Sequence, residues 1–101
     1  MLKITFCDEI VEYCKNHSSL FQEFDHVYLF GSTVKGTDDP SDLDFLLVYD
    51  FYSDAVIEAV NHLEKQLNDL FHLPIDTTIL SEKELRETDF LPRIQAYISI
   101  K

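Results

Sequence analysis

Phe30-Gly31-Ser32-Thr33-Val34-Lys35-Gly36-Thr37-Asp38-Asp39-Pro40-Ser41-Asp42-Leu43-Asp44-Phe45-Leu46-Leu47-Val48 is the stretch from which the fold is read. Just before it, His26 to Phe30 is a short β-type run that ends at Gly31. Thr33 to Ser41 is dense in turn formers, with Gly36, Asp38, Asp39 and Pro40. Leu43 to Tyr49 is almost wholly apolar, as a buried central strand is. The loop between the two strands is too short for a crossover helix, so the pair is antiparallel.

Working outward, residues from about 6 to 17 form a first helix. Thr5 and Asp8 make a capping pair, and Cys7, Ile10, Val11 and Cys14 share one face. Leu20, Phe21 and Phe24 pack the connection to the first strand. Downstream, Val56, Val60, Leu63, Leu67 and Leu70 recur at 4-3-4-3 spacing and predict a helix from about Ser53 to Phe71, with this stripe as its core face. Pro74 opens a third strand, Ile75 to Leu80, and the long helix before it permits parallel pairing with the second. Ser81 and Glu84 form a capping box for a short helix, and Pro92 bounds that region. Ala96 to Ile100 alternates and reads as an edge strand or a last helical turn. The fold class is therefore α/β (α+β), a small mixed sheet with helices packed on one face, in a single domain over residues 1–101.

The chemistry lies in the same stretch. Asp42 and Asp44 stand two apart at the start of a strand, so both carboxylates point to one face. Close carboxylates repel each other, a divalent cation removes that cost, and oxygen ligands suit magnesium. Asp76 is a third carboxylate in an otherwise apolar strand, where it needs a partner such as the same metal site. Gly31-Ser32 follows a strand and precedes a possible helical turn, which presents backbone N–H groups and a hydroxyl to phosphate oxygens. Lys35 adds positive charge, and Gly36 allows close approach. A phosphate-cradling loop and a carboxylate trio are the two halves of a metal-assisted phosphoryl-transfer site.

These residues resemble the DNA polymerase β-like nucleotidyltransferases. A strand ending in Gly-Ser, a loop, Asp-x-Asp opening an apolar strand and a later single Asp are that superfamily's signature. The chain looks like its minimal branch over roughly residues 6 to 90. The loop between Ser32 and Asp42 holds nine residues, one fewer than is typical of that branch, and Thr33-Val34-Lys35-Gly36 stands where an Arg-rich segment is usual. No metal ligand is lost by either change. The resemblance implies a nucleotidyltransferase fold, two Mg2+ ions held by Asp42, Asp44 and Asp76, and ATP as the nucleotide substrate. Asp76 would help activate the attacking hydroxyl, while Gly31, Ser32 and Lys35 would hold the β and γ phosphates. It also implies a partner. Such domains are often encoded beside a small helical HEPN-type protein, and the best described members look like antitoxins that add AMP to a HEPN toxin.

Composition bounds the remaining possibilities. The chain has 101 residues, 46% hydrophobic, with Tyr 5 and Phe 8 among them, enough apolar surface for one folded core. The formal charge of −11 disfavours a nucleic acid polymer as substrate and favours a basic protein partner. Between Lys15 and Lys65, Lys35 is the sole Lys or Arg. No apolar run approaches the roughly 18 residues that span a bilayer, and Met1 to Phe6 does not read as a signal peptide, so a cytoplasmic location is expected. Cys7 and Cys14 lie two helical turns apart, roughly 10 Å, too far for a disulfide. His17, His26, His62 and His72 share no spacing and read as structural or surface residues. Tyr28 and Tyr49 read as packing residues rather than base-stacking ones, and Asp38, Asp39, Asp50 and Asp54 as turn and cap residues. Two functional classes follow: an enzyme transferring AMP or another nucleotide to a hydroxyl of a partner protein, and an acidic binding module whose carboxylates are idle. Transfer to a small molecule ranks below both, because enzymes of that kind usually carry an extra helical domain.

Overall fold

A computed structural model describes residues 5–37 and 39–101, so the readings placed on Met1 to Ile4 and on Asp38 lie outside the described residues. The elements run α1 (Phe6–Asn16), a 3-10 turn (Ser18–Phe21), β1 (His26–Phe30), β2 (Leu43–Tyr49), α2 (Asp54–Phe71), β3 (Ile75–Ser81), α3 (Glu82–Thr88), α4 (Phe90–Ile94) and β4 (Tyr97–Ser99). The sheet order is β3-β2-β1-β4. β1 is antiparallel to both β2 and β4, and β2 is parallel to β3. The mixed sheet agrees with the reading from sequence, and the alternating tail resolves to a strand.

The helix starts are set by local chemistry. In α1 the Thr5 hydroxyl accepts from the Asp8 N–H at 3.1 Å, and the Asp8 carboxylate accepts from the Thr5 N–H at 3.2 Å. Ser81 and Glu84 repeat this exchange at 3.0 Å at the head of α3. Each box satisfies two N–H groups that a helix start leaves without partners. α2 ends where His72 takes a left-handed conformation (φ 58) and its N–H reaches the Asn68 carbonyl at 2.8 Å.

The core lies between the sheet and the two long helices. Ile10 and Cys14 of α1, and Val56, Val60, Leu63 and Leu67 of α2, pack against Val27, Leu29, Leu43, Phe45 and Leu47. Leu20, Phe21 and Phe24 close one side of this cluster. Cys7 and Cys14 are free thiols. Burial pushes the Cys14 thiol up to about 12, and burial followed by the Asp8 charge raises that of Cys7, so neither forms a ready thiolate.

The structure departs from the sequence reading in three places. Leu70 is not core but 45% exposed. A straight helix turns every 3.6 residues, so the 3.5-residue stripe drifts, and Phe71 takes the inward place against Phe6 and Tyr13. Pro92 does not bound the helical region but sits inside α4. Its missing N–H falls in a first turn, where no intrahelical acceptor exists to lose. The long helices share one face as expected, but α3 and α4 lie over the other. The reason is topological: β3 and β4 are the two edges of the sheet, α1 and α2 occupy one face, and the connecting chain must cross the remaining one. Phe90 of α4 meets Phe30 edge-on at 5.6 Å, and Glu82 of α3 lies 3.3 Å from His26. Leu46 and Val48 are fully buried beneath this crossing.

Leu67→Ala is expected to cost about 2–5 kcal/mol, whereas Leu70→Ala stays within about 0.5 kcal/mol. Urea unfolding of the two variants checks the assignment, and equal losses would return Leu70 to the core.

Candidate active site

The sheet register assembles the site. Asp44 of β2 stands opposite Phe30 of β1 and beside Asp76 of β3. Tyr97 of β4 is in turn opposite Phe30. One transverse row therefore reads Asp76, Asp44, Phe30, Tyr97, with all four side chains on the face that α3 and α4 cross. Asp42 precedes β2 by one residue and projects to the same side as Asp44. Carboxylate oxygens of Asp42, Asp44 and Asp76 lie within 4.8 Å of one another. Asp42 and Asp44 are half-buried and Asp76 is exposed.

This crowding has an electrostatic signature. The Asp44 carboxyl is raised from 3.8 to about 6, first by burial, then by the charges of Asp42 and Asp76, and by a hydrogen bond with Asp76. Without a cation the site holds charge that it does not neutralise itself. An all-oxygen donor set at this spacing fits a hard divalent cation such as magnesium.

Gly31 is the second constraint. It takes φ +84, and a Cβ built on it would overlap the Asp44 carboxylate, lying 2.9 Å from Cγ. Glycine is required here for both reasons, and its small size is what lets β1 end directly against the carboxylate. Beyond it the chain makes a single helical turn: the Lys35 N–H donates to the Gly31 carbonyl at 3.2 Å, and the Thr37 N–H to the Ser32 carbonyl at 3.1 Å. Such a turn leaves its first N–H groups without intrahelical acceptors. Ser32 is half-buried at its start, and Lys35 is exposed on it. Among the described residues no ion pair joins Lys35 to the three carboxylates.

Two features escape the sequence reading. Phe90 walls the site beside Phe30, and nothing in its local sequence signals this, because the topology alone brings α4 here. Thr33 is 3% exposed, and its hydroxyl has no hydrogen-bond partner. Its position right after Gly31-Ser32 was visible in the sequence, but its burial was not. Tyr28 and Tyr49 pack against neighbouring tyrosines, and His17 and His72 stand at helix C-caps, whereas Asp54, read as a turn or cap residue, is the first residue of α2 and Ser53 holds the cap position.

A parallel-edged mixed sheet with three clustered carboxylates beside a glycine-serine turn defines a nucleotidyltransferase domain. The chain matches the family described as polymerase beta nucleotidyltransferase over residues 8–91, and it belongs to that family. Among solved structures it is similar to a crystal structure of a provisionally assigned nucleotidyltransferase from Sulfolobus solfataricus. The identity is 26%, the alignment covers 90% of this chain and 72% of that one, and the TM-score is 0.49. No curated protein matches the chain.

Because the folded-state value of Asp44 is raised, ionising it costs stability. Its contribution is full below the ordinary 3.8 and is lost as pH rises through about 6. In chelator, Asp44→Asn is therefore expected to melt higher than the native chain at about pH 8, with the gap closing by about pH 4. Thermal melts across that range check the sign; a gap that widens toward acid would refute the assignment.

Proposed function

We propose that the chain catalyses magnesium-dependent transfer of AMP, or another nucleoside monophosphate, from a nucleoside triphosphate to a hydroxyl of a partner protein. The observation that carries this reading is the carboxylate cluster: three oxygen donors within 4.8 Å of one another, with the Asp44 carboxyl raised to about 6 by burial and then by its neighbours.

In this reading Asp42 and Asp44 would hold two Mg2+ ions between them, and Asp76 would bind the second of these. When bound, the ions supply positive charge to the attacking and leaving oxygens around the α-phosphorus. The chain's own residues do the rest. Ser32 and the N–H groups of the turn after Gly31 orient the β and γ phosphates, with Lys35 assisting from its exposed position. Asp76, exposed at the sheet edge, accepts the proton of the incoming hydroxyl. The acceptor oxygen bonds to the α-phosphorus, the bond from that phosphorus to the bridging oxygen breaks, and pyrophosphate leaves. Phe30 and Phe90 exclude water from the side of the row opposite Asp76.

A protein acceptor is favoured by the accessibility of Asp76 at the edge strand, open to a large partner. A HEPN-type helical protein is the candidate that the family resemblance supplies, with the chain acting as its antitoxin.

Two measurements test this. Gly31→Ala pushes a methyl into the space of the Asp44 carboxylate, and cation affinity is expected to fall about 10–100-fold. Titration calorimetry with Mg2+ or Mn2+ reads this directly, and unchanged affinity would detach Gly31 from the site. For transfer itself, the chain is incubated with a HEPN-type protein and ATP labelled on the α-phosphate. Label is expected on the partner, with none from γ-labelled ATP, and the rate is expected to fall on the order of 10³-fold or more in Asp42→Asn and Asp44→Asn. Neutralisation of the partner that survives Asp44→Asn would instead make the chain an idle acidic binding module.

A further inference from the structure

The end of β2 away from the carboxylates carries a surface that transfer chemistry does not use. β2 spans Leu43–Tyr49, so the loop leading to α2 stands roughly 23 Å from the candidate active site. On that loop Phe51 is 81% exposed and Tyr52 is 65% exposed. Scattered exposed apolar side chains are ordinary, but adjacent large aromatics on one short loop form a patch. The patch is braced: the Tyr52 ring meets the Tyr49 ring at 5.9 Å, and Tyr49 is anchored in β2 and packs on the core.

The charges that flank the pair and line the adjoining groove are acidic, while the cations at this end stand outside the groove: Lys83 follows Ser81, the ladder partner of Tyr49, and the Lys101 Nζ donates to the Phe21 carbonyl at 3.1 Å. Asp50 and Asp54 flank the aromatic pair in sequence. The Asp25 N–H donates to the Val48 carbonyl at 2.7 Å, which places Asp25 at the same end of the sheet. Ala55, Glu58, Ala59 and His62 form one face of α2, one turn beyond Tyr52. With Glu23 and neighbours from the 3-10 turn they line a groove of about 300 Å³. From Gly36 to Glu64 the sequence has no Lys or Arg. Two solvent-exposed aromatics beside an acidic groove are complementary to a basic protein surface with apolar side chains. A second copy of this chain would set acid on acid, and a nucleic acid or an anionic lipid surface would be repelled.

We infer that this end of the molecule docks a basic protein segment: Phe51 and Tyr52 pack against its apolar side chains, and its Lys or Arg side chains enter the groove walled by Glu23 and Glu58. Aromatic anchors of this kind carry most of the free energy of an interface, and the charges set orientation and on-rate. The surface lies a strand length from the carboxylates, so docking leaves the candidate active site open. The inference does not rest on the chain's catalytic reading.

The test uses the full chain and a phage-displayed library of random peptides, with selection on the immobilised protein. Enriched peptides are expected to combine Lys or Arg with large apolar residues. A synthetic copy of the best one should bind Phe51→Ser, Tyr52→Ser at least about tenfold more weakly. Its affinity should fall as salt is raised, and Glu23→Lys, Glu58→Lys should abolish binding. Both substituted sites are on the surface, and unchanged melting temperatures and circular dichroism spectra confirm that the variants are folded. The inference is overturned by no enrichment, by acidic or purely apolar peptides, or by full binding to the double serine variant. Sedimentation showing a dimer lost in that variant would assign the patch to a second copy and overturn it equally.

Discussion

The molecule is organised around a repulsion. Two carboxylates, Asp44 and Asp76, sit on neighbouring positions of the sheet, and a third, Asp42, joins them from one residue before β2, within 4.8 Å. The parallel pairing of β2 with β3 fixes Asp44 beside Asp76, and the alternation of β2 keeps Asp42 on the same side. The cost is tolerable because the rest of β2 is bound on both faces by buried apolar residues: Leu43, Phe45 and Leu47 toward the long helices, and Leu46 and Val48 toward the short ones. A strand this well held can carry an unfavourable end, in the manner in which functional sites concentrate local conflict within a stable frame.

The same strand explains why Gly31 and the carboxylates act as one unit. β1 must finish against Asp44, because Phe30 is its partner in the ladder. The next residue has to turn away at once with a positive φ and no side chain. The glycine-serine turn and the carboxylate row are thus two consequences of one register, and a slip of one residue between β1 and β2 would dismantle both.

Much of this was legible in the sequence, and the reasons are local. Thr5 with Asp8 and Ser81 with Glu84 announce helix starts through chemistry complete within four residues. Asp42 and Asp44 announce a shared face through the period of a strand. The misreadings belong to longer-range geometry. The 3.5-residue stripe assigned Leu70 inward, and only the neighbours Phe6 and Tyr13 decide that Phe71 takes that place. Pro92 read as a boundary because its tolerance depends on where the previous helix stops, at the left-handed Asp89. No pattern in residues 82–96 says which face they cross. That follows from the strand order, which assigns β3 and β4 to opposite edges. The exposure of Phe51 and Tyr52 has no signature in the sequence, because nothing in the run after a buried strand says whether an aromatic turns inward or outward.

The crossing from β3 to β4 has a kinetic consequence. β1, β2, α2 and β3 meet their partners through neighbours in the chain, so each contact closes a small loop. β4 has only three residues and pairs with a strand near the other end of the sequence, closing the largest loop in the sheet. It registers late and frays early, and the segment bearing Phe90 is tied to the sheet through it. Partial opening of the C-terminal segment can therefore uncover the aromatic wall of the carboxylate row while the core between β2 and the long helices stays intact. The candidate active site thus lies between a strand buried on both faces and the shortest strand of the sheet.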